Sequence, residues 1–438
     1  MLKNMLYYST QKKSPAVSLK EAVVKGLAPD RGLYMPETIG QLPPSFFNEI
    51  EGMSLTSIAQ TVARSFFGED IPQHELDAIV ADTLSFEIPL RQVEENIWVL
   101  ELFHGPTFAF KDVGARFMAR MLSHFVKKEH KEEVEVLVAT SGDTGSAVAN
   151  GFLGVEGIRV FVLYPSGKVS DIQEAQFTTL GQNITALEVD GTFDDCQALV
   201  KNAFMDEELN LRLRLTSANS INVARFLPQS FYYFHAWAQL KRHNPAAKAV
   251  FSVPSGNLGN LTAGLFAKRM GLPVARFIAA NNRNDVFREY LLSGDYAPRS
   301  SVQTIANAMD VGAPSNFDRI LDLYGHDHRA ITGDITAYRY HDEQIGNAIR
   351  ETKQRTGYLL DPHGACGYLA LKEGLQPGET GIFLATAHPA KFRETVEECI
   401  GETLEIPDGL AAFMQGKKQT IPLPNDFSLF KKALFRLS

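Results

Sequence analysis

Three short segments of the chain hold residue types that could do chemistry. In LELFHGPTFAFKD (100–112), Lys111 stands beside Phe108 and Phe110, with Phe117 further on, at the start of a predicted helix. An ammonium group there is disfavoured twice, by desolvation among aromatic rings and by the positive end of the helix dipole. Both effects favour the neutral amine, the form that attacks an aldehyde. The same residue also fits a lysine that snorkels to solvent, the commoner fate of a lone one. In SGNLGN (255–260), glycines let backbone N–H groups close on an anion at a helix N-terminus. Gly256, Asn257, Leu258, Gly259 and Asn260 then form a phosphate cradle without a lysine, or else a glycine-rich turn with asparagines in left-handed geometry. The third loop, TSGDTGSA (140–147), offers hydroxyl and N–H groups where a carboxylate could dock. Taken alone, its Ser141, Asp143 and Thr144 also read as an N-cap cluster.

Other chemistries lack support. YPSGKV (164–169) has Val169 after its Gly-Lys and Val162 where a P-loop needs glycine. No GxGxxG follows a strand, and HELDA (74–78) lacks the second histidine of a zinc protease. The nucleophile-elbow spelling fails at Ser141, where Ala139 stands two residues before it, and at Ser255, where Val253 does. His326 and His328 have no ligand-spaced partners, so no metal site is expected.

The elements that position the three loops follow from hydrophobic period. In the helix opened by Lys111, Val113, Phe117, Met121 and Phe125 recur every fourth residue and give one apolar face. Continuous apolar strands are predicted at IWVLELF, VEVLVAT, IRVFVLYP, NITALEVD, KAVFSVPS, VARFIAA and GIFLATAHP. They alternate with helices, among them a single helix from Phe193 to Leu209 and a long one from about residue 220 to His243. Ser170 to Gln173 spells a capping box. Strands of this kind argue for parallel α/β sheets covered on both faces. Ligands of such sheets sit beyond the carboxyl ends of the strands, where the three loops lie. Residues 1 to about 90 lack the alternation and read as a mostly helical segment, with helices over Ser18–Leu27 and Leu55–Phe67.

At 438 residues, two or three domains are expected. A net charge of −8 without a large single-sign block leaves no footprint for nucleic acid. The basic Lys127, Lys128 and Lys131 alternate with Glu129, Glu132 and Glu133, as on a solvated helix end. No apolar run approaches the roughly 18 residues of a membrane span, and the start, MLKNMLYYST, is too polar for a signal peptide. Cys196, Cys366 and Cys399 are too few and too scattered for a disulfide framework, so a reducing cytoplasm is expected.

Together with NSINVARF (219–226), NAMDVGAPSN (307–316) and TAHPAKF (386–392), the segments HGPTFAFKD, SGDTGSA and PSGNLGN resemble the threonine synthase family. The likeness begins at GLAPDRGLYMP and is greatest to the longer, bacterial and fungal type. It implies an α/β enzyme of pyridoxal-phosphate (PLP) fold type II, the group of the tryptophan synthase β-chain, with the cofactor between two parallel-sheet domains. The implied division is 1–92 as a family-specific segment, 93–133 and 219–438 as the large domain, and 134–218 as the small one. The implied reaction converts O-phospho-L-homoserine and water to L-threonine and phosphate.

By the same resemblance, Lys111 carries the cofactor as a Schiff base and, once displaced by substrate, acts as general base. Gly256, Asn257, Leu258, Gly259 and Asn260 hold the cofactor phosphate, and Thr386 faces its ring nitrogen. Ser141, Gly142, Asp143, Thr144 and Gly145 hold the substrate carboxylate. Several relatives have an acid where this chain has Asn260, which leaves any role of that acid in doubt. The substrate phosphate needs a separate cationic pocket, for which Arg116 and Arg225 are candidates; either also fits a structural ion pair. The released phosphate is the expected base when water adds at Cβ. A monomer or homodimer is expected. Two rivals share the pattern: a PLP-dependent phospho-lyase or serine/threonine dehydratase releasing a keto acid and ammonia, and a non-catalytic binding protein that kept the fold.

Overall fold

The computed structural model describes residues 5–129 and 133–438. Part of the charged run over 127–133 therefore lies outside the described residues. Three sheets organise the described residues. The first joins β1 (Leu6–Ser9), β2 (Val17–Ser18) and β3 (Tyr34–Pro36) in the antiparallel order β2-β1-β3. The second contains β4 (Leu90–Glu94) and β5 (Ile97–Glu101). The third contains β6 (Val134–Ala139), β7 (Ile158–Pro165), β8 (Ile184–Asp190) and β9 (Arg214–Ser217). The second sheet is completed by β10 (Lys248–Pro254), β11 (Val274–Asn281), β12 (Ile335–Arg339) and β13 (Glu379–Ala385), and the third by β14 (Ile421–Pro424).

The six-stranded sheet runs β12-β11-β10-β13-β5-β4, parallel except for β4 at its edge. The five-stranded sheet runs β14-β8-β7-β6-β9 and is parallel throughout. All six residues of β6 are buried, the signature of a strand covered on both faces. The helix Lys111–Glu129 crosses the helix Asp143–Phe152 closely: a side chain at Gly151 would lie 3.1 Å from the Ala115 backbone.

Several expectations are corrected. The long helix before His243 is three pieces, Val223–Phe226, a 3₁₀ turn Leu227–Gln229 and Ser230–His243, because Pro228 cannot supply an N–H to a continuous ladder. The single helix predicted over 193–209 breaks at Asp206, which is extended and caps Glu207–Arg212 by accepting the Leu209 N–H at 2.9 Å. The N-terminal segment has its expected helices, Leu19–Lys25 and Leu55–Phe67, and three short strands besides. The edge strand β4 begins at Leu90, inside the segment expected to stand apart, and pairs with β5. At the C-terminus, β14 pairs with β8, and Phe430 and Leu434 pack with Cys196 and Leu199, so these residues join the five-stranded sheet rather than the six-stranded one.

Candidate active site

Loops at the carboxyl ends of both sheets converge on one cavity. Lys111, the 256–260 loop after β10 and Thr386 after β13 come from the six-stranded side, and Ser141, Asp143 and Thr144 after β6 from the other. Lys111 keeps part of its surface in contact with the cavity, yet its ammonium lies deep in the protein. Burial pushes it down from 10.5 to about 8, and the Lys391 and Arg225 cations push the same way while Asp143 opposes them. Its loop is held rigidly. The Thr107 hydroxyl and N–H donate to the Asp112 carboxylate at 2.6 and 2.9 Å.

The Lys111 and Thr386 loops run against each other. The Phe110 N–H donates to the Thr386 carbonyl at 2.8 Å, Ala109 bridges Ala387, and the His388 N–H donates to Phe108 at 3.0 Å. This ladder fixes the spacing between the amine and the threonine.

Among the described residues, the N–H groups of Gly256, Asn257, Leu258, Gly259 and Asn260 make no hydrogen bond. Leu258 adopts the left-handed conformation, φ 61°, which turns the chain into the helix Gly259–Arg269. A side chain at Gly256 would lie 3.0 Å from the Met309 Cα, so the cradle also closes on the 307–311 segment. The Asn260 carboxamide oxygen accepts from the Tyr232 and Tyr233 hydroxyls at 2.7 and 2.8 Å, while its Nδ2 is buried without a partner. The arrangement is an anion site of unsatisfied backbone donors at a helix start.

The 141–145 loop is only partly as expected. Ser141, Asp143 and Thr144 line the cavity. The Gly142 and Gly145 N–H groups instead donate to the Thr140 hydroxyl at 2.9 and 2.8 Å, which removes these two from ligand binding. The Asp143 carboxylate pairs with Lys391 at 2.6 Å and accepts from Gln173 Nε2 at 2.8 Å. Against its burial, the Lys391 and Lys111 cations hold it well below the usual carboxylate range. Gln173 is thus drawn into the site, and only half of the predicted capping box forms, Ser170 accepting the Gln173 N–H.

The two arginines separate. Arg225 lines the cavity and is 2% exposed, and its Nε and Nη1 have no partner among the described residues. Burial lowers its guanidinium to about 10, against the attraction of Asp112. Arg116 does not line the cavity. It donates to the Thr83 carbonyl at 3.1 Å, the Asp82 carbonyl at 2.6 Å and the Ser85 hydroxyl at 3.0 Å, so its fork is spent on the N-terminal segment. That corrects its candidacy for a substrate contact.

Sequence reading missed Lys391, Gln173 and His363. His363 lines the cavity, accepts the Ala308 N–H on Nε2 at 3.1 Å and contacts Asp361 through Nδ1 at 2.8 Å, which places its ring proton on Nδ1. The only available signal was the lysine inside TAHPAKF; the pairing that gives it meaning is tertiary. Among the described residues no cluster of three or more histidine, cysteine or acidic groups could hold a metal ion.

Comparison with known proteins gives one answer along the whole length. Residues 81–386 match the pyridoxal-phosphate dependent enzyme family, residues 6–84 the threonine synthase N terminus and residues 364–434 the threonine synthase C-terminal family. The chain is 45% identical over 435 residues to threonine synthase of Haemophilus influenzae, covering 99% of this chain and 100% of that one. It is 44% identical to the Escherichia coli threonine synthase structure, with a TM-score of 0.93 over 99% of this chain and 100% of that one. A PLP-bound threonine synthase structure from Brucella melitensis is 36% identical, with a TM-score of 0.92 and the same coverage of 99% and 100%.

Proposed function

The chain belongs to the threonine synthase family of PLP-dependent lyases, and on that premise we propose that the Lys111 cavity converts O-phospho-L-homoserine and water to L-threonine and phosphate. The observation that carries this reading is one neutralisable lysine facing two separate anion sites, the 256–260 cradle and Arg225.

The residues present fit PLP. Five backbone N–H groups without partners suit its phosphate, the close approach of Gly256 to Met309 leaves no room for a side chain there, and Thr386, in the lining of the same cavity, would offer a hydroxyl to a ring nitrogen. When bound, the cofactor supplies an electron sink for charge that develops beside the substrate amino group. Lys111 Nζ, about half neutral at pH 8, would take the proton from the substrate Cα. The remaining N–H groups of the 141–144 turn, at the start of the helix Asp143–Phe152, orient the substrate carboxylate. Arg225 holds the γ-phosphate through its two unpaired nitrogens and carries its charge as it departs. A second proton leaves Cβ as the γ-phosphate departs with the C–O electron pair; the two protons return to Cγ, which becomes the methyl group, and to Cα, while water adds its hydroxyl at Cβ and gives its proton to the phosphate.

A neutral or weakly donating partner for the ring nitrogen suits this route, because electrons must move on towards the γ-carbon rather than rest on the ring. Cys196, Cys366 and Cys399 are free, in keeping with a cytoplasmic enzyme. Among the described residues no helix is long and apolar enough to cross a membrane. A monomer or homodimer completes the reading.

The test is a product balance. Protein incubated with PLP and O-phospho-L-homoserine should release threonine and phosphate in equal amounts. Keto acid and ammonia in place of threonine would assign the site to a dehydratase or phospho-lyase instead.

A further inference from the structure

Lys391 is a buried cation that the proposed chemistry does not use. Its side chain is 0% exposed, and its ammonium sits 2.6 Å from Asp143 Oδ1 and donates to the Thr107 carbonyl at 2.7 Å. These contacts tie together three loops. Lys391 follows Thr386 after β13, Thr107 precedes Lys111 after β5, and Asp143 follows β6 on the other sheet. The same two acceptors are shared with the helix Asp171–Thr178, whose Gln173 donates to Asp143 at 2.8 Å and whose Gln176 donates to Thr107 at 3.1 Å. A buried cation between two acceptors on opposite sheets sets their separation, because moving either loop would strand a charge.

Asp143 also poses an electrostatic problem. It stands at the helix start where a substrate carboxylate is to dock, and two carboxylates in one desolvated site repel each other. It is near enough to Lys111 to favour that residue's ammonium form, whereas Lys391 disfavours it. We propose that Lys391 is a positioning residue that pins the 141–145 loop against the Lys111 loop and cancels the charge of Asp143, leaving the helix start free for a carboxylate ligand and Lys111 free to be neutral. The carboxylate part rests on the reaction proposed above; the effect on Lys111 does not.

The experiment uses the cofactor-free full chain. A small acylating reagent, acetic anhydride, modifies neutral amines, and the rate at Lys111 is read by peptide mass across pH in wild type, Lys391→Met, Asp143→Asn and the double variant. The wild-type inflection falls near pH 8. Lys391→Met moves it up by about one to three pH units, the span for one charge within a few ångströms. Asp143→Asn moves it down, and the double variant returns it towards wild type. With substrate, Lys391→Met raises KM for O-phospho-L-homoserine at least tenfold, and adding Asp143→Asn recovers most of it. Should Lys391→Met fail to fold, the downward shift in Asp143→Asn still carries the test. Single variants that shift in the same direction, or not at all, overturn the proposal. Opposite shifts in a protein that makes no threonine would leave the electrostatic role standing and sink the proposed reaction.

Discussion

A lysine attacks an aldehyde only in the fraction of molecules whose amine is neutral. With an ordinary value of about 10.4, that fraction near pH 7.5 is roughly one in a thousand; with Lys111 at about 8 it is about one in four. The sign follows from burial: the neutral form prevails above pH 8 and is lost as pH falls through it. PLP capture by the cofactor-free protein should accordingly rise about tenfold per pH unit below 8 and level off above, as followed by stopped-flow absorbance. An inflection near 10 would mean an exposed, ordinary lysine. The arginines allow a paired test. Removing a charge-assisted contact costs about 1.5–3 kcal/mol, so Arg225→Ala should raise KM for O-phospho-L-homoserine by roughly ten- to a hundredfold. Arg116→Ala should leave KM alone and lower thermal stability instead, since its fork holds Thr83, Asp82 and Ser85. At this scale residue type and neighbours suggested chemistry for Lys111 and the glycine loop while leaving a structural alternative open for each, and Thr386 came only from the family resemblance; the structure brings all three to one cavity. The sequence could not separate Arg116 from Arg225, nor single out Lys391, because in each case the deciding partner is distant in the chain.

Between elements, spacing is set by backbone approach. A side chain at Gly114 would lie 2.3 Å from the Arg225 carbonyl oxygen, so the Lys111 helix can meet the Val223–Phe226 turn only through a glycine. Gly114→Ala should force the two apart. Unfolding free energy should fall by about 1–3 kcal/mol in urea titrations, the usual cost of overpacking, and KM should rise because Arg225 moves with its backbone. Unchanged stability would show that the contact yields freely. The helix after Lys111 was legible from its four-residue repeat, and β6, β7 and β10 from continuous apolar runs. The strands β1, β2 and β3 are two to four residues long, too short for any period to show. β14 reads IPLP, a spelling that discourages a strand, and is one only because β8 offers it an edge.

Across the whole molecule, the N-terminal segment acts as a brace behind the site. Arg319, 0% exposed, donates to the Tyr34, Ser220 and Ile221 carbonyls and to the Asn316 side chain, and Asn222 Nδ2 donates to the Val23 carbonyl at 2.9 Å. The turn that carries Arg225 is thereby held from outside, and Asn316 passes the constraint to the Asn257 carbonyl at 3.0 Å in the cradle. Two sheets and a brace thus converge on one amine. The account stands or falls on which lysine that is, since Lys391 is a second buried candidate close by. Protein loaded with PLP and reduced with borohydride should, after digestion, carry the added pyridoxyl mass on the peptide containing Lys111 and nowhere else. A label on Lys391, or none on Lys111, would contradict the account.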